Sequence, residues 1–460
     1  MIQLINRYKQ FFLIAMIFIS SCEMLDIEPN NRIPGDDAIT DLSGLESAVN
    51  GAYDQLQMVG FAEDAVIFAD LAADNWIHVG SKKEYREVDD GEILPSNLYV
   101  EGIWASCYDG INRINNILEQ LPGLKEIPQD VKDDYEGQMR FLRAINYLTL
   151  VKYFNGVPLK TEPTSSATDE ELNVPRASVE GTYEFIIEDL KEAEQLLQER
   201  SNPAFAGKTA AQALLARAYL YLSEFDPHWD EAIEYAKIVT NNPDYSLEDG
   251  EEYALLFDEE SVSDEIIFQV DFFNDDDQNA IADWVRHDGR LEVEAWDTKA
   301  RENSIYFEYQ TSDNRRDATL YENGGSYYCN KYTDTGNGND NVIVLRLAEM
   351  YLIIAEALNE KGYVVDGEAF EYLNAIRQRA GVPIYYSFDL PDQDQFRDAL
   401  IKERRLEFAF EGHRLFDLRR SGLIGEALEE GSTLQNNNWL FPIPQSEIDT
   451  NNEIEQNGNY

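Results

Sequence analysis

Residues 208–243 read KTAAQALLARAYLYLSEFDPHWDEAIEYAKIVTNNP, and this run decides the fold. Ala210, Ala213, Leu214, Ala216, Arg217, Ala218 and Tyr219 recur at helical spacing; after a short break Trp229, Ala232, Ile233, Ala236, Ile238 and Val239 repeat the pattern. Apolar residues at intervals of three and four mark two amphipathic helices. Small side chains let the backbones approach closely and Pro243 stops the second helix, the pattern of a tetratricopeptide-like pair. A second pair is expected at Val344 to Gly381, with Ala348, Ala355 and Ala357 opposite Ala369, Tyr372, Leu373 and Ile376. Stacked pairs build a shallow superhelix.

The same periodicity outlines helices at 39–59, 102–121, 130–154, 179–200, 208–224, 230–241, 343–361, 366–380 and 393–411. The fold expected is therefore mainly α, with long loops and a few short strands. Between the helical blocks, residues 244–341 turn to Asp, Asn, Gly and aromatic side chains, with Glu265 to Val270 patterned as a short strand. Residues 62–99 form a second polar, aromatic stretch. Long loops in a compact protein are usually functional, so a site is sought in these two segments.

The N-terminus carries its own address. Arg7 and Lys9 precede nine apolar residues, Phe11 to Ile19, and Ser20-Ser21-Cys22 follow. A basic segment, a short apolar run and small residues are secretory-signal anatomy. Nine residues fall well short of the roughly 20 that a membrane-spanning helix needs. Ile19-Ser20-Ser21-Cys22 resembles a lipobox, which makes 1–21 a cleaved signal peptide and Cys22 the lipid attachment site. Acyl chains contribute about 0.8 kcal/mol per buried methylene, enough for a multiply acylated cysteine to hold a soluble body on a bilayer. Residues 23–37, with Pro29 and Pro34, read as an extended tether. The mature chain then divides into an N-terminal helical lobe, 22–243, and a C-terminal lobe with the loop-rich region, 244–460.

Composition excludes several functions. With 88 acidic against 37 basic residues the formal net charge is −51, which repels phosphate backbones; nucleic acid is not an expected partner. Cys107 and Cys329 offer at most one pair, so stability must come from packing. No HExxH, no phosphate-cradling loop ending in Lys-Ser/Thr and no Gly-x-Ser-x-Gly elbow is present, so neither a catalytic centre nor a cofactor is expected. Asp275-Asp276-Asp277-Gln278-Asn279 begins like a calcium loop, but Ala280 replaces the turn glycine and Arg286 the bidentate Glu; a solvated acidic loop is the reading, with no metal.

In the helix from Leu345 to Leu358, Arg346, Glu349 and Glu356 are charges on a nearly all-apolar segment, and Arg404, Arg405 and Arg414 are the partners expected for them. Seven residues separate Glu349 from Glu356, about 10 Å along a helix. That lies beyond the ~6.5–9.5 Å of inverting glycosidases, so a structural ion network is expected. Trp104, Trp229 and Trp439 sit at packing positions. Trp76, Trp284 and Trp296 lie in the loop segments, where flat aromatic rings can stack on sugar faces. Asp74, Asn75, Arg286 and Arg290, close in sequence, can satisfy hydroxyls, and Tyr85 with Tyr99, Tyr306, Tyr327 and Tyr328 adds aromatic surface.

Several segments in order together resemble the SusD/RagB family of surface lipoproteins. They are Cys22 to Asp26; Ile103-Trp104 to Asn115; Arg140 to Ala144 with Tyr147 and Gly156 to Leu159; Lys208 to Tyr221; Val344 to Leu352; Asn374 to Gly381; Glu403 to Glu407; Gly412-His413-Arg414; and Phe441 to Pro444. The resemblance implies a helical scaffold anchored on the cell surface at the outer membrane, lying as a lid over a SusC-like TonB-dependent transporter. Such proteins capture oligosaccharides or peptides for nutrient uptake. Glu23 and Asp26, just after Cys22, resemble a surface-export cue. The function expected is non-enzymatic oligosaccharide capture and delivery. Peptide capture is the alternative within the family, and a surface glycosidase, needing two converging carboxylates, is the rival from another class.

Overall fold

The structure, a computed structural model, describes residues 39–164, 172–250, 252–258, 263–272, 278–293, 304–427, 433–437, 439–458 and 460. The signal segment 1–21, Cys22, the tether 23–37, Asp275 to Asp277 and Trp296 lie outside the described residues.

Helix α1 (Leu42–Asp54) starts at Asp41, whose carboxylate accepts from the Gly44 amide at 2.9 Å. A 3-10 turn and a π turn (Gly60–Asp64) lead into α2 (Ala65–Leu71), β1 (Ile77–His78) and α3 (Lys83–Asp89). The stretch 62–99, expected as loop, is thus partly helical. A Cβ at Gly60 would lie 2.1 Å from the Gly102 carbonyl oxygen, so only glycine lets the π turn press on α4 (Leu98–Gln120). Asn97 caps α4 through the Tyr99 and Val100 amides.

Next come α5 (Gln129–Phe154), α6 (Val179–Leu196), α7 (Lys208–Leu222) and α8 (Trp229–Thr240). The loop-rich region holds β2 (Ile266–Val270), α9 (Ile281–Val285), β3 (Leu291–Glu292), α10 (Ile305–Glu308), α11 (Arg316–Thr319), β4 (Leu320–Asn323), β5 (Ser326–Cys329) and β6 (Val342–Arg346). The chain then returns to helix in α12 (Leu347–Lys361), α13 (Glu368–Arg379), α14 (Gln393–Phe408) and α15 (Arg414–Ser421). Each helix of the series α4, α5, α6, α7, α8, α12, α13 packs on the next, the stacked-pair array expected. Ala348, Leu352 and Ala355 meet Phe370, Leu373 and Ile376 in one apolar cluster, as the second pair requires.

The helix expected at 343–361 begins later than its pattern implied. Residues 342–346 form β6, antiparallel to β2 with Ile343 opposite Gln269. Val342, Ile343 and Val344 are β-branched and fit a pleated, buried surface better than a helix.

Buried ion pairs tie the C-terminal helices to the loop region. Arg346 reaches Glu411 at 2.8 Å, Glu265 at 2.9 Å and Glu407 besides; Arg315 reaches Asp313 and Glu403 at 2.8 Å and Glu407 at 2.9 Å. Burial opposes ionisation of Glu407 and Glu411, but Arg379, Arg346 and Arg315 around the first, and Arg346 and Lys331 beside the second, hold both carboxyls below the usual range. The expected charges are paired, yet with different partners: Glu349 takes Arg217 of α7 and Glu356 takes Arg420 of α15. Arg404 pairs with Asp417 instead, and Arg405 and Arg414 go to Asp74.

Candidate functional site

The site is built on a small β platform. β1 and β3 pair antiparallel, Ile77 opposite Glu292, and the Val79 amide donates to the Arg290 carbonyl at 2.9 Å. Val293 bridges to Tyr327, joining this pair to the β4–β5 hairpin. Residue 284, at the end of α9, therefore lies beside segment 77–99, although some two hundred residues of chain separate them.

Trp284 is half-buried, and its indole stacks on Tyr85 with centroids 4.3 Å apart and planes 3° from parallel. Tyr85 is itself buried, wedged edge-on between Phe68 and Tyr99 at 5.0 Å from each. Its hydroxyl donates to Asp64 at 3.0 Å, which fixes the ring that backs Trp284. Lys82 places its ammonium 4.9 Å from the centre of the indole and 4.6 Å from that of Tyr99, whose hydroxyl it also meets. The Arg290 guanidinium lies 5.0 Å from the indole centroid. A tight turn brings it there: the Gly289 amide donates to Arg286 and the Arg290 amide to Trp284, at 2.7 and 2.8 Å. A Cβ on residue 289 would sit 2.3 Å from the Trp284 carbonyl oxygen, so glycine is required in this turn.

The hairpin continues the aromatic surface. Tyr306 stacks on Tyr327 at 3.5 Å, with Phe307, 49% exposed, edge-on to both. Arg286 lies over the Tyr321 ring at 4.1 Å and donates to Asn330 at 2.8 Å, and Tyr328 tilts against Tyr321.

The structure corrects part of the residue set expected from sequence. Trp76 is 1% exposed and stacks on Phe410 at 4.7 Å, so it is a core residue and presents no face to a ligand. Asp74 accepts two hydrogen bonds from Arg414, at 2.6 and 2.8 Å; burial opposes its ionisation, but Arg405 and Arg414 outweigh that and hold it below the usual carboxylate range. Asn75 is buried between Asp70 and Arg405. All three belong to a buried cluster, because segment 70–76 turns inward towards α14 and α15. Tyr85 is support beneath the platform and not its surface. Arg290 lies over Trp284, and Arg286 lies over the neighbouring Tyr321. Lys82, Arg86, Phe307 and Tyr321 were missed; the lone signal in sequence was that Lys82 and Arg86 flank Tyr85.

No described group of His, Cys, Asp or Glu could hold a metal ion. Two acidic side chains lie under the platform. Burial pushes Glu63 up to about 7 against the pull of the Ala280 amide, and raises Asp64 well above the usual range. Glu63 is only 4% exposed and Asp64 2%, so neither faces the space in front of Trp284.

The stacked helical pairs place the molecule among tetratricopeptide-like α-superhelices. Residues 270–460 match the model of the SusD family, and residues 23–220 match a second model described as starch-binding associating with outer membrane. The chain belongs to the SusD/RagB family. Among its relatives, SusD-like protein P2 of Formosa agariphila is 26% identical over 98% of this chain and 99% of its own length. A SusD-like protein of Bacteroides ovatus is 25% identical over 71% of this chain and 66% of its own. Among solved structures, a laminarin-binding SusD-like protein superposes with a TM-score of 0.74 at 25% identity, covering 92% of this chain and all of the other. Surface glycan-binding protein A from Bacteroides thetaiotaomicron in complex with laminarihexaose superposes with a TM-score of 0.76 at 23% identity, with the same coverage.

Proposed function

We propose that the chain is a non-catalytic capture protein for oligosaccharides, lipid-anchored through Cys22 at the outer membrane, which passes its ligand to a SusC-like TonB-dependent transporter. The observation that carries this reading is the rigidly backed indole of Trp284 beside a hairpin rich in half-exposed aromatic rings. Sugar rings present apolar C–H faces, and a flat ring held in place binds them without a further ordering cost. Trp284, Arg286 and Arg290 are the proposed ligand residues, with Tyr85 as their support. Relatives that bind laminarin or laminarihexaose support glycan over peptide as the ligand. Among the described residues, no helix is long and apolar enough to cross a membrane, and a lipid anchor is compatible with that.

The test is calorimetric titration with neutral oligosaccharides, acidic oligosaccharides and short peptides, followed by a reducing-end assay on whatever binds. Glycan binding without turnover is the expected result. Binding of peptides alone would replace the ligand class. Turnover proportional to protein and lost on substitution of a carboxylate would favour the glycosidase reading.

A further inference from the structure

The cations around Trp284 stand out in a chain whose acidic residues outnumber its basic ones 88 to 37. Among the described residues nearly every arginine pairs with a carboxylate. The exceptions are Arg86, Arg176, Arg286 and Arg290. Arg176 is spent on the backbone carbonyls of Phe154, Gly156 and Glu455. Of the other three, Arg290 lies over Trp284, Arg86 holds the Gly80 carbonyl and Arg286 lies over Tyr321; Lys82, which also forms no ion pair with a carboxylate among the described residues, joins Arg290 at the indole.

These groups share one place. Arg86 donates to the Gly80 carbonyl at 3.0 Å, and a Cβ at Gly80 would meet the Arg290 side chain at 3.0 Å. Lys82 and Arg290 both lie over the Trp284 indole, at 4.9 and 5.0 Å from its centroid. Arg286 extends the set towards Tyr321. None of them forms an ion pair with a carboxylate among the described residues, although Asp64 feels the charge of Lys82 and Asp340 that of Arg286 at longer range. Glu87 is engaged with Lys83 and Asn97, and Asp89 with the His78 amide. Burial keeps Glu63 and Asp64 protonated to higher pH than ordinary carboxyls.

We propose that this platform takes an anionic oligosaccharide, whose carboxylate or sulfate groups are held by Lys82, Arg86 and Arg290 while a sugar ring stacks on Trp284. The proposal rests on the capture reading and narrows its ligand. A neutral glycan needs hydroxyl partners and aromatic faces; it has no use for several uncompensated cations. An anionic glycan does need them, because the net charge of −51 otherwise opposes its approach. Guanidinium groups suit the task, since their forked donors match the oxygens of carboxylate and sulfate.

The experiment titrates the purified protein with tetragalacturonate and its fully methyl-esterified form, and with a sulfated carrageenan tetrasaccharide and its desulfated form. Each pair keeps the sugar backbone and removes the charge. Expected is binding of at least one acidic member, at least about tenfold tighter than its neutral counterpart. Which pair shows the difference separates uronate from sulfate. Arg290→Gln and Arg86→Gln should each weaken the acidic probe about tenfold with thermal unfolding unchanged. Neutral members bound as tightly as acidic ones, or Gln variants that bind as the parent does, would overturn the anionic ligand while leaving glycan capture in place. Failure of all four probes, with laminarihexaose also unbound, would take down both readings.

Discussion

Trp284 lies flat on Tyr85, centroids 4.3 Å apart, across a chain separation that the pairing of β1 with β3 closes. The phenol is locked from behind by Asp64, Phe68 and Tyr99, so the indole is presented as a fixed surface. Preorganisation of this kind lets stacking appear as affinity, because little side-chain freedom remains to be lost.

Trp284→Ala should therefore weaken binding of the captured glycan by about thirtyfold, roughly 2 kcal/mol, with a small change in Tm. Trp76→Ala should do the reverse. Its ring is packed on Phe410, and truncation should cost about 3–5 kcal/mol of stability through the cavity left behind. Titration and thermal unfolding of both variants check this. Equal affinity in the Trp284→Ala protein would move the site elsewhere.

Glu63 makes stability depend on pH in a direction opposite to the buried ion pairs. Its folded pKa, about 7, is above the unfolded value, so the folded state holds the extra proton and stability falls as pH rises from about 4.5 to about 7. Glu63→Gln keeps an acceptor for the Ala280 amide and removes the titration. The variant should be more stable than the parent at pH 8, by about 3 kcal/mol at most, and indistinguishable from it near pH 4. Unfolding curves at the two pH values decide it; a gap that is constant with pH would contradict the assignment.

Arg346→Met should destabilise the fold by about 3–5 kcal/mol, because it removes the cation shared by the buried Glu265, Glu407 and Glu411 and leaves Arg315, Arg379 and Lys331 to balance them. The loss should be smaller at low pH. Glu407 and Glu411 have folded pKa values held below their unfolded ones, so the stability they contribute is present above the unfolded pKa and is lost as pH falls through the folded value. Denaturant titration at pH 7 and pH 4 reads both effects. An Arg346→Met penalty undiminished by acid would mean that its packing on Phe408, 4.3 Å from ring centre to guanidinium carbon, matters more than its charge.

Cys22→Ala should release the protein from the membrane fraction and abolish uptake of labelled lipid by the chain. Cell fractionation measures both. Unchanged membrane association in the variant would rule out the anchor.

Helices, their pairing and the family were legible in the chain because they rest on local patterns: small residues along 208–240, the repeat at 344–381, and ordered segments such as Arg140 to Ala144 and Glu403 to Glu407. So was the need to pair Arg346, Glu349 and Glu356, since charges on an apolar segment must find partners. Which partners they take was not legible. Arg217, Glu407 and Arg420 lie on other elements, and Coulomb attraction carries no sequence spacing. The same limit governs the site. Trp76 and Trp284 look alike as loop tryptophans, but segment 70–76 turns inward to meet Phe410 and Arg414, whereas the turn closed by Gly289 leaves Trp284 at the surface. A tryptophan becomes core or platform according to what packs on its two faces, and for both residues those faces are supplied by chain far away in sequence, brought there only by tertiary packing.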